Sequence, residues 1–289
     1  MSSFHLAGVI PVAGQKLDFQ FPWHDCLMPI SNNYLAIERS VVECAYAGCE
    51  TIWIICNDDI QPLIRHRLGD YIYDPVSLNK KQSAKKAIQI FYVPVHPKDR
   101  EKRDCLSWSV IYGANTAYNI CKQISKWVTP DRYYVSFPYG VYECGFLRQH
   151  RREISSKNAF FVSHNGNTVK DGEYLGFTFN FEDFKRFRAT VRAGTGKRPK
   201  SNDNKLSNDL LPLQERWSAR FFSLDTVFGS VIIDGAFIIE IERFNNIDNW
   251  KGYRDFLANQ NSNLIHRPDD EMLAYHEFNP MGINNEKQN

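Results

Sequence analysis

Residues 6–58 read LAGVIPVAGQKLDFQFPWHDCLMPISNNYLAIERSVVECAYAGCETIWIICND, and the order of apolar segments within them predicts how the chain folds. The apolar run at 7–12 breaks at Ala13-Gly14, which is typical of a strand that ends in a tight turn. Apolar residues then recur at helical spacing within 35–48, and a second apolar run follows at 51–56. Strand, helix and strand in this order predict a βαβ unit with parallel strands.

The loop between the first strand and the helix is the expected ligand-binding element. Open α/β sheets bind their ligands at the carboxyl edge of the parallel strands, and the loop after the first strand lies at that edge. We therefore expect residues 13–30 to carry the function of the chain.

Alternating strand and helix signals continue beyond this unit. Further strand candidates are residues 87–95, 133–137 and 158–163, and a helix candidate spans residues 107–127. This alternation predicts an α/β fold with a mostly parallel sheet and helices on both faces. We assign residues 1–260 to this α/β domain. Residues 261–289 are rich in Asn, Asp and Glu and have little periodicity, so we expect an irregular C-terminal tail.

The overall composition limits the class of protein and its partners. Among the 289 residues, 43% are hydrophobic and 24% charged, which is ordinary for a globular domain, and the net charge of +2 does not indicate a nucleic-acid or membrane partner. The N-terminus lacks signal-peptide features and no run approaches ~18 apolar residues, so we expect a cytoplasmic protein. The seven cysteines show no zinc spacing, which favours small buried hydrophobes in a reducing compartment.

Two separate segments carry a family resemblance. The first contains GVIPVAG at 8–14, LMPI at 27–30, AYAGC at 45–49 and IWII at 52–55, and the second is NIDNW at 246–250, followed by Tyr253. In this order they resemble the sugar-1-phosphate nucleotidyltransferases. The resemblance implies a nucleotide-diphospho-sugar transferase fold, which is Rossmann-like and similar to the GT-A fold, and a nucleotide or nucleotide-sugar as ligand.

The resemblance also implies roles for individual residues. In that family the glycine-rich turn wraps the nucleotide phosphates, which here corresponds to Ala13 and Gly14. Lys16 stands near the position of a charge-stabilising arginine, and Asp25 takes the position of a lysine. Two aspartates hold Mg²⁺ in the family, and Asp248 matches the second of them. Tyr139 in FPYG at 137–140 lies where the first aspartate is expected.

Each of these residues also has an alternative interpretation. Lys16 is either a phosphate-binding cation or a solvated loop lysine. His24 and Asp25 form either an acid/base pair or an exposed turn. Tyr139 either stacks on a base or sugar, or fills a site that no longer needs a metal. Asp248 is either a metal or ribose ligand, or the N-cap of the following helix.

The leading functional hypothesis is a nucleotidyltransferase-like protein that binds a nucleotide or nucleotide-sugar, with nucleotidyl transfer to a sugar phosphate if it is an enzyme. Because losing one charge-stabilising contact costs about 3 kcal/mol, the altered motifs favour a rival hypothesis, a catalytically reduced binding or assembly module. A third is glycosyl transfer to a polymer, including nucleic acid. The basic residues from Lys185 to Lys200, with Phe184 and Phe187 among them, motivate it. The sequence does not predict the oligomeric state.

Overall fold

A computed structural model describes residues 4–14, 20–78, 85–96, 105–124, 129–194, 197–200, 203–210, 222–259, 265–268 and 272–273. The strands are β1 (Leu6–Pro11), β2 (Pro29–Ser31), β3 (Tyr34–Leu35), β4 (Thr51–Cys56), β5 (Tyr71–Tyr73), β6 (Ala87–Pro94), β7 (Arg132–Val135), β8 (Gly140–Val141), β9 (Phe160–Ser163), β10 (Phe177–Phe179), β11 (Lys197–Lys200), β12 (Asp203–Leu210), β13 (Phe237–Glu240) and β14 (Asn245–Asn246). The helices are α1 (Ala36–Ala47), α2 (Gln61–Leu68), α3 (Pro75–Leu78), α4 (Leu106–Ile124), α5 (Arg151–Ile154), α6 (Phe181–Gly194), α7 (Leu224–Phe228) and α8 (Trp250–Ala258).

Eight of the described strands form one sheet in the order β13-β9-β10-β7-β1-β4-β6-β5. The central strand β1 pairs in parallel with β4 on one side and with β7 on the other, and Gly8 lies opposite both Ile52 and Tyr134. The pairs β4–β6 and β9–β13 are also parallel, whereas β10 and the edge strand β5 run antiparallel to their neighbours. The predicted mostly parallel α/β fold is therefore confirmed.

Helices cover both faces of the central strand. A Cβ added to Gly8 would lie 2.9 Å from the Sγ atom of Cys44 in α1, whereas Gly113 of α4 lies against Val9 and Ile55. Successive residues of a strand point to opposite faces, so α1 and α4 lie on opposite sides of the sheet. Both helices approach closely because a glycine or a small cysteine stands at the contact. All seven cysteines are buried and free.

Parts of the segment expected to form a tail pack against this α/β unit. Ile265, Met272 and Leu273 are buried. The N–H of Tyr73 in β5 donates to the Met272 carbonyl at 2.9 Å, and Leu273 forms an antiparallel bridge with Ile72. These short pieces of the C-terminal segment thus contribute to the core beside the edge of the sheet. In the described part of the chain, no helix has the length and apolar character needed to cross a bilayer.

Candidate functional site

The turn after β1 is fixed at the carboxyl edge of the sheet by hydrogen bonds and by a close contact. The N–H groups of Val12 and Ala13 both donate to the Ile55 carbonyl, at 2.8 and 2.9 Å. Gly14 has φ +84°, and a Cβ there would lie 2.5 Å from the backbone nitrogen of Cys105. Only glycine combines this left-handed conformation with such a close approach. Lys16, the expected phosphate-binding cation, lies outside the described residues.

A cavity of about 400 Å³ opens beside this turn. It is lined by Gly14, Cys105, Leu106, Asp171, Gly172, Tyr174, Phe222, Ser223, Leu224 and Asp225. The two carboxylates suit hydroxyl and N–H donors of a ligand better than they suit a phosphate, because like charges repel. The cavity is therefore suited to an uncharged part of a ligand that carries hydrogen-bond donors.

Asp248 is joined to this cavity through Tyr174. The Tyr174 hydroxyl donates to Asp248 Oδ2 at 3.2 Å, and the Asn249 amide donates to Asp248 Oδ1 at 2.5 Å. The N-cap of α8 is Asn249, whose side chain accepts from the Gly252 N–H at 3.0 Å. The helix-cap interpretation of Asp248 is therefore wrong. Its half-buried carboxylate lies instead beside Tyr174, which lines the cavity.

Tyr139 fills the space between the turns that follow β1 and β7. Its side chain has no exposed surface, its hydroxyl donates to the Val12 carbonyl at 3.3 Å, and its ring lies edge-on to Tyr174 at 5.7 Å. Burial raises the pKa of the Tyr139 hydroxyl well above its usual range, and the nearby Asp25 carboxylate adds to the shift. A neutral phenol without an exposed face favours the interpretation that Tyr139 fills the site.

A buried polar network holds the turn that carries Tyr139. Arg39 of α1 donates from Nη2 to the Phe137 carbonyl at 3.0 Å and forms an ion pair with Glu43 at 2.8 Å. The Glu43 carboxylate accepts further hydrogen bonds from the hydroxyls of Tyr134, Ser136 and Tyr142. The Arg39 and Glu43 side chains are 1% and 0% exposed. Both residues lie in the segment predicted to be helical, but their sequence pattern does not predict this network.

Stability should fall steeply in alkaline solution because of the buried tyrosines. Burial, followed by the charge of Glu43, raises the pKa values of Tyr134 and Tyr142, and burial also raises that of Tyr139. In the unfolded chain these hydroxyls ionise near pH 10, whereas in the folded chain they stay neutral. The three hydroxyls therefore contribute to the free energy of unfolding below pH 10. This contribution is lost as the pH rises above 10, at about 1.4 kcal/mol per pH unit for each group.

The measurement is urea unfolding at intervals between pH 8 and 11, together with the absorbance of ionised tyrosine in the native and unfolded chain. We expect fewer tyrosines to ionise near pH 10 in the native chain than in urea. Equal titration of the two states would contradict the prediction.

Asp25 is buried, and one of its two carboxylate oxygens has no partner. Oδ1 accepts from the Cys26 N–H at 2.8 Å and lies 2.9 Å from Nδ1 of His24. Oδ2 has no hydrogen-bond partner among the described residues, although it is buried. Asp25 and His24 are therefore in contact, and Asp25 does not lie in an exposed turn. A buried carboxylate oxygen without a partner is costly, and such groups often belong to functional sites.

Replacing Asp25 by asparagine should raise the free energy of unfolding at pH 8 by roughly 1 kcal/mol, because a neutral amide is cheaper to bury than an incompletely paired carboxylate. Urea unfolding measures the change. Glu43→Gln is the matched control, since both Glu43 oxygens accept hydrogen bonds and this variant should be destabilised. A loss of stability in Asp25→Asn equal to that of Glu43→Gln would show that the Asp25 charge stabilises the fold.

The described side chains do not supply a complete set of ligands for Mg²⁺. Within the described residues, no group of three or more His, Cys, Asp or Glu side chains is placed to hold a metal ion. Both Asp248 oxygens accept hydrogen bonds, and the buried Tyr139 occupies the place of the first aspartate implied by the resemblance. Mg²⁺ prefers carboxylate, phosphate and water oxygens in octahedral geometry, and Asp248 alone supplies too few of them.

The described residues of the basic segment after β10 include no exposed aromatic ring of the kind that base stacking needs. Phe184 is 4% exposed and Phe187 is fully buried, so both rings belong to the core. On the same helix, α6, Lys185 and Arg186 form ion pairs with Glu182 and Asp183. Stacking on nucleobases requires a free ring face. The described part of the segment therefore offers charge but no aromatic platform.

Comparison with solved structures identifies the fold. A protein described as a glucose-1-phosphate thymidylyltransferase of Bacillus anthracis, in complex with sucrose, aligns with TM-score 0.55 at 10% identity over 92% of this chain and 98% of its own. A UDP-glucose pyrophosphorylase complexed with UDP-glucose aligns with TM-score 0.50 at 11% identity, over 90% of this chain and 100% of its own. The fold is that of these nucleotidyltransferases. A scan against protein-family models and a search of curated proteins find no match.

Proposed function

We propose that the chain is a nucleotidyltransferase-like cytoplasmic protein that binds a nucleotide or nucleotide-sugar at the carboxyl edge of its sheet. The observation that carries the proposal is the hydrogen bond from Tyr174 to Asp248. Because Tyr174 also lines the cavity that begins at Gly14, this bond links the second family-like segment, through Asp248, to the cavity beside the first. The phosphates would lie at the Ala13-Gly14 turn and face Lys16, and the nucleoside would enter the cavity.

Nucleotidyl transfer to a sugar phosphate is the reaction that this binding mode would serve. The solved structures with this fold include proteins named as a thymidylyltransferase and a pyrophosphorylase, one of them bound to UDP-glucose. The proposed catalytic residues are Lys16, which would stabilise charge on the transferred phosphoryl group, and Asp25, which would move a proton with His24. A metal brought by the substrate phosphates would need one Asp248 oxygen, which Tyr174 or Asn249 would have to release.

A catalytically reduced binding or assembly module is the second candidate. Tyr139 and Asp25 favour it, because a buried phenol and a buried carboxylate stand where the resemblance implies an aspartate and a lysine. This module would meet a partner through its aromatic surface and basic loops, so it needs neither to bind a nucleotide nor to turn one over, and absence of nucleotide binding would leave only this candidate. Glycosyl transfer to a polymer is a further alternative, and it depends on the charge of the basic segment alone.

Calorimetric titration of the full chain with UTP, dTTP, CTP and UDP-glucose, with and without Mg²⁺, tests the proposal. We expect binding of at least one of these ligands. The Tyr174→Phe variant keeps the ring but removes the hydrogen bond that holds Asp248 beside the cavity, and without Mg²⁺ it should bind more weakly, by up to about tenfold, which is about 1.4 kcal/mol. Lys16→Ala should also weaken binding.

The control variant is Tyr46→Phe, since Tyr46 lies on α1 near Arg148, at the other end of that helix from the site. If no nucleotide or nucleotide-sugar binds the unmodified chain, the proposal is overturned. Release of pyrophosphate from UTP and glucose 1-phosphate would establish transfer, whereas binding without turnover would support the binding module.

A further inference from the structure

The two edges of the eight-stranded sheet differ in how they are covered. At one edge the C-terminal segment pairs with β5, where Leu273 forms a bridge with Ile72. At the other edge, no strand in the described part of the chain pairs with the outer side of β13. β13 contains neither lysine nor proline, the residues that commonly prevent further pairing at an edge. Its outer side is therefore able to accept another strand.

The backbone of β13 presents its free groups in a regular pattern. The N–H groups of Phe237 and Ile241 both donate to carbonyls on the β9 side at 2.8 Å. Alternate residues of a strand direct their backbone groups to opposite sides. The backbone N–H and C=O groups of Ile238 and Glu240 therefore point away from β9, and among the described residues they have no hydrogen-bond partner.

Large apolar side chains are exposed along this edge. Phe237 and Ile238 are 38% and 46% exposed, and Ile232 and Ile233, which lie just before β13, are 55% and 44% exposed. Single exposed apolar residues are normal, but a group of them at a free edge is typical of an interaction site. The edge thus combines unpaired backbone groups with apolar contact area.

A cavity of about 550 Å³ opens beside β13. Ile239 lines it together with Phe146 and His150, and the His150 ring lies 5.6 Å from the Phe237 ring. Phe237 and Ile239 lie on the same face of the sheet, because side chains alternate along a strand. The cavity is therefore placed to receive an apolar side chain of a strand added beside β13.

Acidic side chains surround the same edge. Four exposed carboxylates lie on β13, in the turn before it or around the cavity, namely Asp234, Glu240, Glu242 and Glu143. The Ser163 hydroxyl donates to Glu240 at 2.6 Å, which lowers the pKa of this carboxyl and keeps it charged. Two cations, Arg243 and Lys170, lie in the same region and offset only part of this charge. The surplus of negative charge favours a partner with basic residues.

We propose that the outer edge of β13 binds an extended segment of a partner protein, in which apolar and basic residues alternate, by β-strand addition. The backbone groups of Ile238 and Glu240 pair with the added strand. Its apolar side chains lie on the face of Ile239, one of them in the cavity, and its basic side chains lie beside Glu240 on the other face. A second copy of β13 is disfavoured, because it would bring the carboxylates of both chains onto one ribbon.

This inference goes beyond the proposed function, because the residues that line the cavity at Gly14 include none from β13. Fluorescence anisotropy of a labelled short peptide in which lysine and valine alternate, titrated with the full chain, tests it. We expect saturable binding that weakens as salt is added, since exposed charges are screened. The same peptide with glutamate in place of lysine should not bind. A form with methylated amide nitrogens keeps the charge but cannot donate to a strand, and it should not bind either.

The most informative variant is Ile238→Pro, because this N–H points away from β9 and proline is tolerated at such an edge position. It should bind the lysine peptide about tenfold more weakly, whereas Ile238→Val keeps the N–H and should bind normally. Glu242→Lys should bind the peptide about threefold more weakly. Its control is Glu182→Lys, which changes an exposed carboxylate on α6 and should leave binding unchanged. Circular dichroism checks that each variant is folded.

The outcomes distinguish strand addition from other ways of covering the edge. If the glutamate peptide or the methylated peptide binds as tightly as the lysine peptide, or if Ile238→Pro and Ile238→Val bind it equally, the inference is overturned. A dimer in sedimentation that becomes a monomer in Ile238→Pro would show that a second copy covers β13, which also overturns it. Nucleotide binding should be the same in Ile238→Pro and the unmodified chain, so the proposed function is tested separately.

Discussion

Replacing Arg39 by methionine should lower the free energy of unfolding by about 3–5 kcal/mol, because it leaves the buried Glu43 carboxylate without its cation. The Arg39 guanidinium donates to the Phe137 carbonyl and lies 2.8 Å from Glu43, with 1% of its side chain exposed. Burial lowers the pKa of this guanidinium, but the opposing charge of Glu43 and its neighbours raises it overall, so it stays charged. Urea unfolding of the variant measures the loss.

Two controls show whether burial is the cause. Arg65→Met removes the cation of an exposed ion pair with Asp70, whose side chains are 57% and 56% exposed, and it should leave the unfolding midpoint nearly unchanged. The double variant Arg39→Met/Glu43→Gln removes both buried charges. Its amide oxygen can accept from Tyr134 and Tyr142 and its amide N–H can donate to the Ser136 hydroxyl, so it should recover part of the loss. Equal effects of Arg39→Met and Arg65→Met would contradict the role of the buried pair.

The central fold could be predicted because its signals are local. Parallel strands buried on both faces give continuous apolar runs. β1 begins and ends one residue before the predicted run at 7–12, and β4 coincides with the predicted run at 51–56. Gly48, which ends α1, and Gly14, which ends the first turn, are equally local signals, since both have positive φ. The packing of Ile265 and Leu273 could not be predicted, because those contacts join residues far apart in the sequence.

The candidate site was only partly predictable for the same reason. The first turn and Asp248 were found because short motifs carry them. Tyr174 was missed, since its position beside Asp248 depends on the path of the chain between β9 and β10. The Arg39–Glu43 pair gives a weak signal, two opposite charges four residues apart in a helix whose other residues, except Glu38, are apolar or small. A solvated pair gives the same spacing, so only the structure shows that this one is buried.

Replacing Gly14 by alanine should lower the free energy of unfolding by about 2–5 kcal/mol, because two penalties add. An alanine held at φ +84° pays about 1–2 kcal/mol for the left-handed conformation. Its Cβ would also lie 2.5–2.7 Å from the backbone N, Cα and C atoms of Cys105, which cannot rotate away, and such overpacking costs about 1–3 kcal/mol. Urea unfolding measures the sum.

Gly166→Ala separates the two penalties. Gly166 has φ +77°, and a Cβ there meets no atom within 4 Å, so this variant should pay only the conformational cost. The difference between the losses of unfolding free energy in Gly14→Ala and Gly166→Ala then measures the cost of the contact with Cys105, the residue just before α4. Cys105 and Gly14 line the same cavity, so relief of the clash should move the two apart and weaken nucleotide binding, while Gly166→Ala should bind normally. If the two variants lose equal stability and bind equally well, the close contact at the first turn shapes neither the fold nor the ligand site.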